Sequence, residues 1–264
     1  MKIEHIVSTM NRDEFSFLSE LKMQAPCLVV NQNKPEKEFA YSLEKVEARI
    51  ICTPEKGLSR SRNKLIENAV GDVLIIGDDD VEYKPDYLDY IKKAYEKLPN
   101  ADIIVFRFTN DKEKETRARY SKIKRLKLFN ISKCASVEIT FRRESIIKSG
   151  VRFNNEIGLG TRLATGEENA FLADALRAGL KIYHYPKTIC YAEEAHTLGD
   201  IKNVEEYLTS KGGAYHCIYK KWFFFFALAF ILIKKRSLFR GISVKKAYKW
   251  MKQGKKQYKL LEKK

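Results

Sequence analysis

A chain of 264 residues allows one large domain, or one domain with an appendage, and a hydrophobic fraction of 44% is enough for a sizeable core. The net charge of +16 is unevenly placed: from Lys211 onward sixteen Lys/Arg face a single acid, Glu262, so the first 210 residues are nearly neutral. Five cysteines, far apart and without a C-x-x-C pair, argue against a disulfide framework or a zinc site and for a reducing compartment. The start, Met1-Lys2-Ile3-Glu4-His5, does not read as a signal peptide, because its apolar stretch is short and an acid interrupts it. No uninterrupted apolar run reaches the roughly 18–20 residues of a spanning helix.

Residues 3–9 read as a first strand and residues 11–23 as a loop and helix. Cys27-Leu28-Val29-Val30 is a second strand, ending in the polar turn Asn31-Gln32-Asn33. Residues 49–53 are a third, closed by Pro54. Residues 59–70 are helical, with Ser59 as N-cap and Gly71 as stop. The run Val73-Leu74-Ile75-Ile76-Gly77 is short, β-branched and flanked by glycines, as in a buried strand, and it ends in Asp78-Asp79-Asp80. Residues 87–97 are a helix and residues 102–108 a strand. This alternation predicts a mainly parallel α/β sheet, whose ligands sit at the carboxyl ends of the strands, where Thr9, Asn31, Thr53 and Asp78 fall.

Residues 111–130 are mostly basic with little periodicity, a loop or solvated helix that could contact a phosphorylated substrate. Residues 136–141 read as a strand running into a helix, and residues 165–178 as an amphipathic helix stopped by Gly179. Residues 181–185 are a strand ended by Pro186.

Three carboxylates bunched at the exit of a buried strand repel one another, and oxygen ligands of this kind suit Mg²⁺ or Mn²⁺ bound with substrate phosphates. A solvated acidic turn is the competing reading. The triplet is preceded by Gly57-Leu58-Ser59-Arg60-Ser61-Arg62-Asn63 and followed by Gly166-Glu167-Glu168-Asn169. In that order, and in that α/β context, the chain over about residues 1–200 resembles the family 2 glycosyltransferases of the GT-A, Rossmann-like fold. The triplet looks like the family's D-x-D motif, the first piece like its arginine-asparagine helix start, and the third like its glutamate-aspartate pair.

The resemblance implies a metal-dependent, inverting transfer of a sugar from a nucleotide-sugar donor to a glycan or lipid-linked glycan acceptor, in bacterial surface-polysaccharide assembly. It makes residues 1–100 the nucleotide-sugar half and residues 101–200 the acceptor half. Asp78 and Asp80 would hold Mn²⁺ or Mg²⁺, with His196 as a further ligand, and Asp79, between them, would point the other way along an extended strand. Thr9, Asn31, Gln32, Arg62, Asn63, Asp78 and Asp79 would line the donor, with Arg62 stabilising charge at the diphosphate. Glu168 would be the general base and Glu167 its rival; the family usually has an aspartate at this place. The acid common after the second strand is here Asn31-Gln32, whose amides can still hydrogen-bond a pyrimidine edge. Against the base role, Thr165-Gly166-Glu167-Glu168 also fits a capping box. The alternatives are a nucleotidyltransferase-type metal enzyme and a non-catalytic membrane-bound binder.

In residues 201–264 the uncharged run Trp222-Phe223-Phe224-Phe225-Phe226-Ala227-Leu228-Ala229-Phe230-Ile231-Leu232-Ile233 lies between Lys220-Lys221 and Lys234-Lys235-Arg236. Twelve helical residues span only about 18 Å, short of a hydrocarbon core. Shallow insertion at an anionic membrane surface on the cytoplasmic side fits better, with the basic tail adding about 1 kcal/mol per cation. No nucleic-acid module is recognisable, so a nucleic-acid partner is not expected.

Overall fold

In a computed structural model, which describes residues 1–43, 46–111, 120–192 and 203–262, ten strands join in one sheet between two helical layers. The parallel part is built from β1 (Ile3–Met10), β2 (Cys27–Gln32), β4 (Glu47–Thr53) and β5 (Val73–Asp78). β1 sits between β2 and β5. The chain therefore winds outward on one side of β1 and returns on the other, which opens a crevice at the carboxyl ends of β1 and β5.

These strands are apolar on both faces because both are covered. Ile6, Leu28, Val30, Leu74 and Ile76 face α2 (Leu58–Asn68) and α5 (Glu167–Arg177). Val7, Val29, Val73 and Ile75 face α1 (Phe17–Glu20) and α3 (Tyr87–Lys97). Beyond β5 the sheet continues through β9 (Ile139–Arg142), antiparallel to both β5 and β7 (Ile103–Thr109). It ends on β10 (Ile182–Ala192) and β6 (Val81–Tyr83), with the two-residue β8 (Lys124–Arg125) also on β10. The other edge is β3 (Lys37–Ser42), antiparallel to β4. α4 (Arg143–Ser149) follows β9 directly.

Several expectations change. The helix expected within residues 11–23 is a single turn. β3 was not expected: four of its six residues are exposed, and its polar face hides the strand signal. β10 continues through Pro186, where the ladder shifts register between His184 and Thr188, so the missing N–H falls in an irregular stretch. α2 begins at Leu58 after Gly57, and Ser59 does not cap it; its hydroxyl donates instead to the Ile157 carbonyl at 2.6 Å. α5 begins at Glu167 behind a left-handed Gly166, so no capping box forms from Thr165. All five cysteines are buried and free.

The C-terminal segment is helical but not an appendage. α6 (Val204–Tyr219) packs on α5, α7 (Phe223–Leu238) and α8 (Val244–Leu261) pack on α6 and on each other, and Leu208, Tyr215, Phe223, Met251 and Tyr258 belong to the same core as Phe171. α6 and α8 cross backbone to backbone: a Cβ on Gly254 would lie 1.7 Å from the Thr209 carbonyl oxygen. Gly254→Val is therefore expected to cost about 3 kcal/mol or more through overpacking against main chain that cannot step aside, read as a lowered denaturant midpoint. An unchanged midpoint would contradict this crossing.

Candidate active site

The even-numbered faces of β1 and β5 bring Ser8 and Asp78 under α2. Ser61 of α2 donates to Ser8 at 2.8 Å, which seats the helix, and Arg62 then points inward, 1% exposed. Its Nη2 donates to Asp78 Oδ1 at 3.0 Å and its Nη1 to Glu167 Oε1 at 3.1 Å. One guanidinium thus joins the end of β5 to the first residue of α5. Burial by itself would lower the Arg62 pKa, but Asp78, Glu167 and Glu168 together raise it, so it stays cationic.

The other oxygen of Asp78 accepts from Ser136 Oγ at 2.8 Å. Ser136 lies just past a 3₁₀ turn, Ile131–Lys133, that α5 positions. Asn169 Nδ2 donates to the carbonyls of Ile131 and Cys134 at 3.1 and 2.9 Å. β5 stops at Asp78, and the next two aspartates lie in a turn, so strand alternation does not govern Asp79. Asp79 Oδ2 accepts from Thr9 Oγ1 at 2.6 Å and from Arg12 Nη2 at 3.1 Å. Asp80 is exposed in the same turn.

Glu167 is buried and committed to Arg62. Glu168 is half-buried, and among the described residues no side-chain ion pair holds it. Burial, and then the charge of Glu167, push its pKa up to about 7, against the opposing pull of Lys211 on α6 and of Arg62. A carboxyl that titrates near neutrality beside a tied carboxylate can accept a proton.

Thr9, Arg62, Asp78, Asp79, Glu167 and Glu168 therefore share one constellation, with Asp80 beside it. Arg62 is not placed to be the diphosphate cation expected, because it is buried and both its terminal nitrogens are bound to carboxylates. Asn31 spends its amide on the backbone of Arg12, accepting from its N–H at 3.1 Å and donating to its carbonyl at 2.8 Å. Gln32 is buried, with no partner for Oε1 among the described residues. Asn63 faces away from the constellation: it clamps the Phe153 backbone at both N–H and carbonyl and lines a separate groove with Arg60, Lys64 and Arg152. Phe153 stacks on Phe171 at 4.2 Å and belongs to the core. His196 lies outside the described residues. Arg12, Ser136 and Lys211 stand in no motif of the sequence; Asn169 stands in the third motif, but its hold on the Ile131–Cys134 turn carries no signal there.

Among the described residues no three His, Cys, Asp or Glu side chains converge as a metal cage. Each oxygen of Asp78 accepts one hydrogen bond, from Arg62 or from Ser136, and keeps a second lone pair. A small divalent cation that arrives with a diphosphate needs only one or two carboxylates, and the exposed Asp80 fits that requirement.

A family model described as Glycosyl transferase family 2 matches residues 24–156. No curated protein matches the chain by sequence. Among solved structures, residues 1–349 of S. aureus TarS are similar at a TM-score of 0.62 and 14% identity, over 96% of this chain and 79% of that one. The same piece in complex with UDP is similar at 0.61 and 14% identity, over 95% and 78%. In complex with UDP-GlcNAc it is similar at 0.58 and 15% identity, over 83% and 67%. At these identities the likeness is one of fold.

Proposed function

Since the chain belongs to glycosyl transferase family 2 and is a glycosyltransferase, we propose that it moves a sugar from a nucleotide-sugar donor to a hydroxyl of a glycan or lipid-linked glycan, with inversion, in surface-polysaccharide assembly. The observation that carries the reading is the Arg62 bridge, which ties the strand-end aspartates to the glutamate pair at the sheet's crevice. The UDP and UDP-GlcNAc complexes of the similar TarS structures support a nucleotide-linked donor. The reading includes peripheral attachment to the cytoplasmic face of a membrane, supported by exposed apolar side chains on α7 beside the C-terminal lysines.

Glu168 takes the proton from the acceptor hydroxyl while that oxygen bonds to the anomeric carbon from the face opposite the diphosphate. The bond from carbon to the diphosphate oxygen breaks, and a nucleoside diphosphate leaves. Arg62 neutralises Asp78 and Glu167, so that Glu168 can ionise near neutral pH without two uncompensated neighbours. Arg12, held at the turn by Asp79, is an exposed cation there and takes the charge-stabilising part expected of Arg62. Mn²⁺ or Mg²⁺ held at Asp80 would neutralise charge on the leaving diphosphate.

The test is thermal stability with UDP-, GDP-, CMP- and dTDP-sugars, with and without Mn²⁺. One nucleotide class at a hundred times its Kd should raise Tm by about 5–10 °C in the presence of metal. The rise should vanish in Asp80→Asn. No shift with any class, in a protein that melts cooperatively, would sink the donor assignment.

A further inference from the structure

α7 buries one stripe and leaves the rest of its surface apolar as well. Phe223, Ala227 and Ile231, four residues apart, are in the core. Phe225 and Ile233, on other sides, are 61% and 75% exposed, and Trp222, Phe224 and Leu232 are exposed with them. Phe129, 66% exposed, stacks on Phe226 of α7 at 5.4 Å and extends this surface toward the segment that leads to Ser136. Isolated exposed apolar residues are ordinary, but four on one helix, a fifth at its N-cap and a sixth beside it form a patch that normally has a partner.

The charges around the patch identify the partner. Lys220 and Lys221 stand at one end of α7, and Lys235 and Arg236 at the other. Tyr248 of α8 packs on Phe224, its ring 5.7 Å away. Its helical neighbours at i−3 and i+4 are the exposed Lys245 and Lys252. From Lys211 to Leu261 the sequence contains no acid, and the next residue, Glu262, pairs with Lys220 at 3.1 Å. An apolar face with cations at both ends and along α8 complements the acyl boundary of an anionic bilayer.

A spanning helix fits poorly. The window that is apolar and long enough to cross, within Val204–Arg236, joins α6 to α7 across Lys220, where φ is +45°. Most of α6 is buried in protein. The sixteen residues of α7 would reach about 24 Å at the helical rise, and their inner stripe is occupied by core.

We propose that the outer face of α7, with Trp222 and Phe129, lies in the plane of an anionic lipid surface and that the α8 lysines bind its headgroups. This deepens the peripheral attachment proposed above by naming the surface that makes it, and it stands apart from the donor chemistry.

The experiment is cosedimentation of the full chain with vesicles of pure phosphatidylcholine, or with one third phosphatidylglycerol, at low and high salt. Binding is expected to the anionic vesicles, at least tenfold weaker to the neutral ones, and weaker at high salt. The exposed-face variant Phe225→Ser/Ile233→Ser should lose at least tenfold in affinity with an unchanged Tm, and Lys245→Gln/Lys252→Gln should lose the salt dependence in part. Trp222 fluorescence should be quenched by shallowly brominated lipid. If the wild-type chain ignores anionic vesicles, the peripheral attachment itself fails. If the Phe225/Ile233 variant binds as wild type does, attachment survives and this surface is overturned. If instead the wild-type chain is a dimer in solution that this variant dissociates, with no vesicle binding by either, the face belongs to a second copy and the proposal is overturned.

Discussion

Glu168→Gln is expected to lower the transfer rate by about 10²–10⁴-fold, the usual worth of a general base, while leaving the fold and nucleotide-sugar binding in place. Glutamine keeps the size and polarity of the side chain at the first turn of α5 but cannot accept the proton. Turnover equal to wild type would remove Glu168 from the mechanism, and Glu167→Gln would not rescue the idea, because Glu167 is bound to Arg62. The pH profile gives an independent check. With the carboxyl pushed up to about 7 by burial and by Glu167, the base is protonated and idle below that pH. Activity should rise with pH through about 7. Lys211→Met removes a cation that favours the ionised form, so the rising limb should move to higher pH in that variant. The stability sign is opposite: between the ordinary carboxyl pKa of about 4.5 and about 7 the folded state holds the proton that the unfolded chain releases. This group's contribution to stability is therefore lost as pH rises through that window.

Arg62→Ala is expected to destabilise the protein by about 3 kcal/mol and to abolish transfer. Removing one member of a buried ion network leaves its partners charged and uncompensated, which typically costs 3–5 kcal/mol. The low end applies because the Asp78 side chain is 34% exposed and water can screen it, whereas that of Glu167 is 9% exposed. For a chain of this size the loss corresponds to a fall in Tm of roughly 6–12 °C. The double variant Arg62→Met/Glu167→Gln, which leaves no buried orphan charge on α5, should recover a good part of that stability. A single Arg62→Ala variant that melts with wild type would show that the bridge does not hold the two motifs together.

The parallel half of the sheet was legible because its signals are local. β1, β2, β4 and β5 each bury both faces, so each reads as a short apolar run ending in a polar residue. The edge strand β3 was not legible: Lys37, Glu38 and Ser42 are exposed, and only pairing with β4 makes the segment extended. A proline removes a donor, so Pro186 reads as the end of a strand, yet the register shift in β10 absorbs it. At the candidate site the residue types were readable and their allegiances were not. Arg62, Asp78 and Glu167 stood in three separate motifs, and nothing in the spacing said that the arginine would be consumed by the other two. Ser136 and Lys211 carry no motif and reach the site only through tertiary packing. The C-terminal segment showed its charge and apolarity plainly. Its place in the core did not show, since that depends on glycines in α6 and α8 meeting across a helix crossing.

One contact bears on how such enzymes can diversify. A Cβ on Gly166 would lie 2.9 Å from Ala214 of α6, so the residue preceding the glutamate pair is seated directly against the C-terminal helices. Those helices are then not a cassette. Grafting the corresponding helices of a relative onto this body would bring a new outer surface, but it would also change the contact behind the glutamate pair and remove Lys211 from the field of Glu168. A working chimera of this chain would have to inherit the pair at 166 and 214 together.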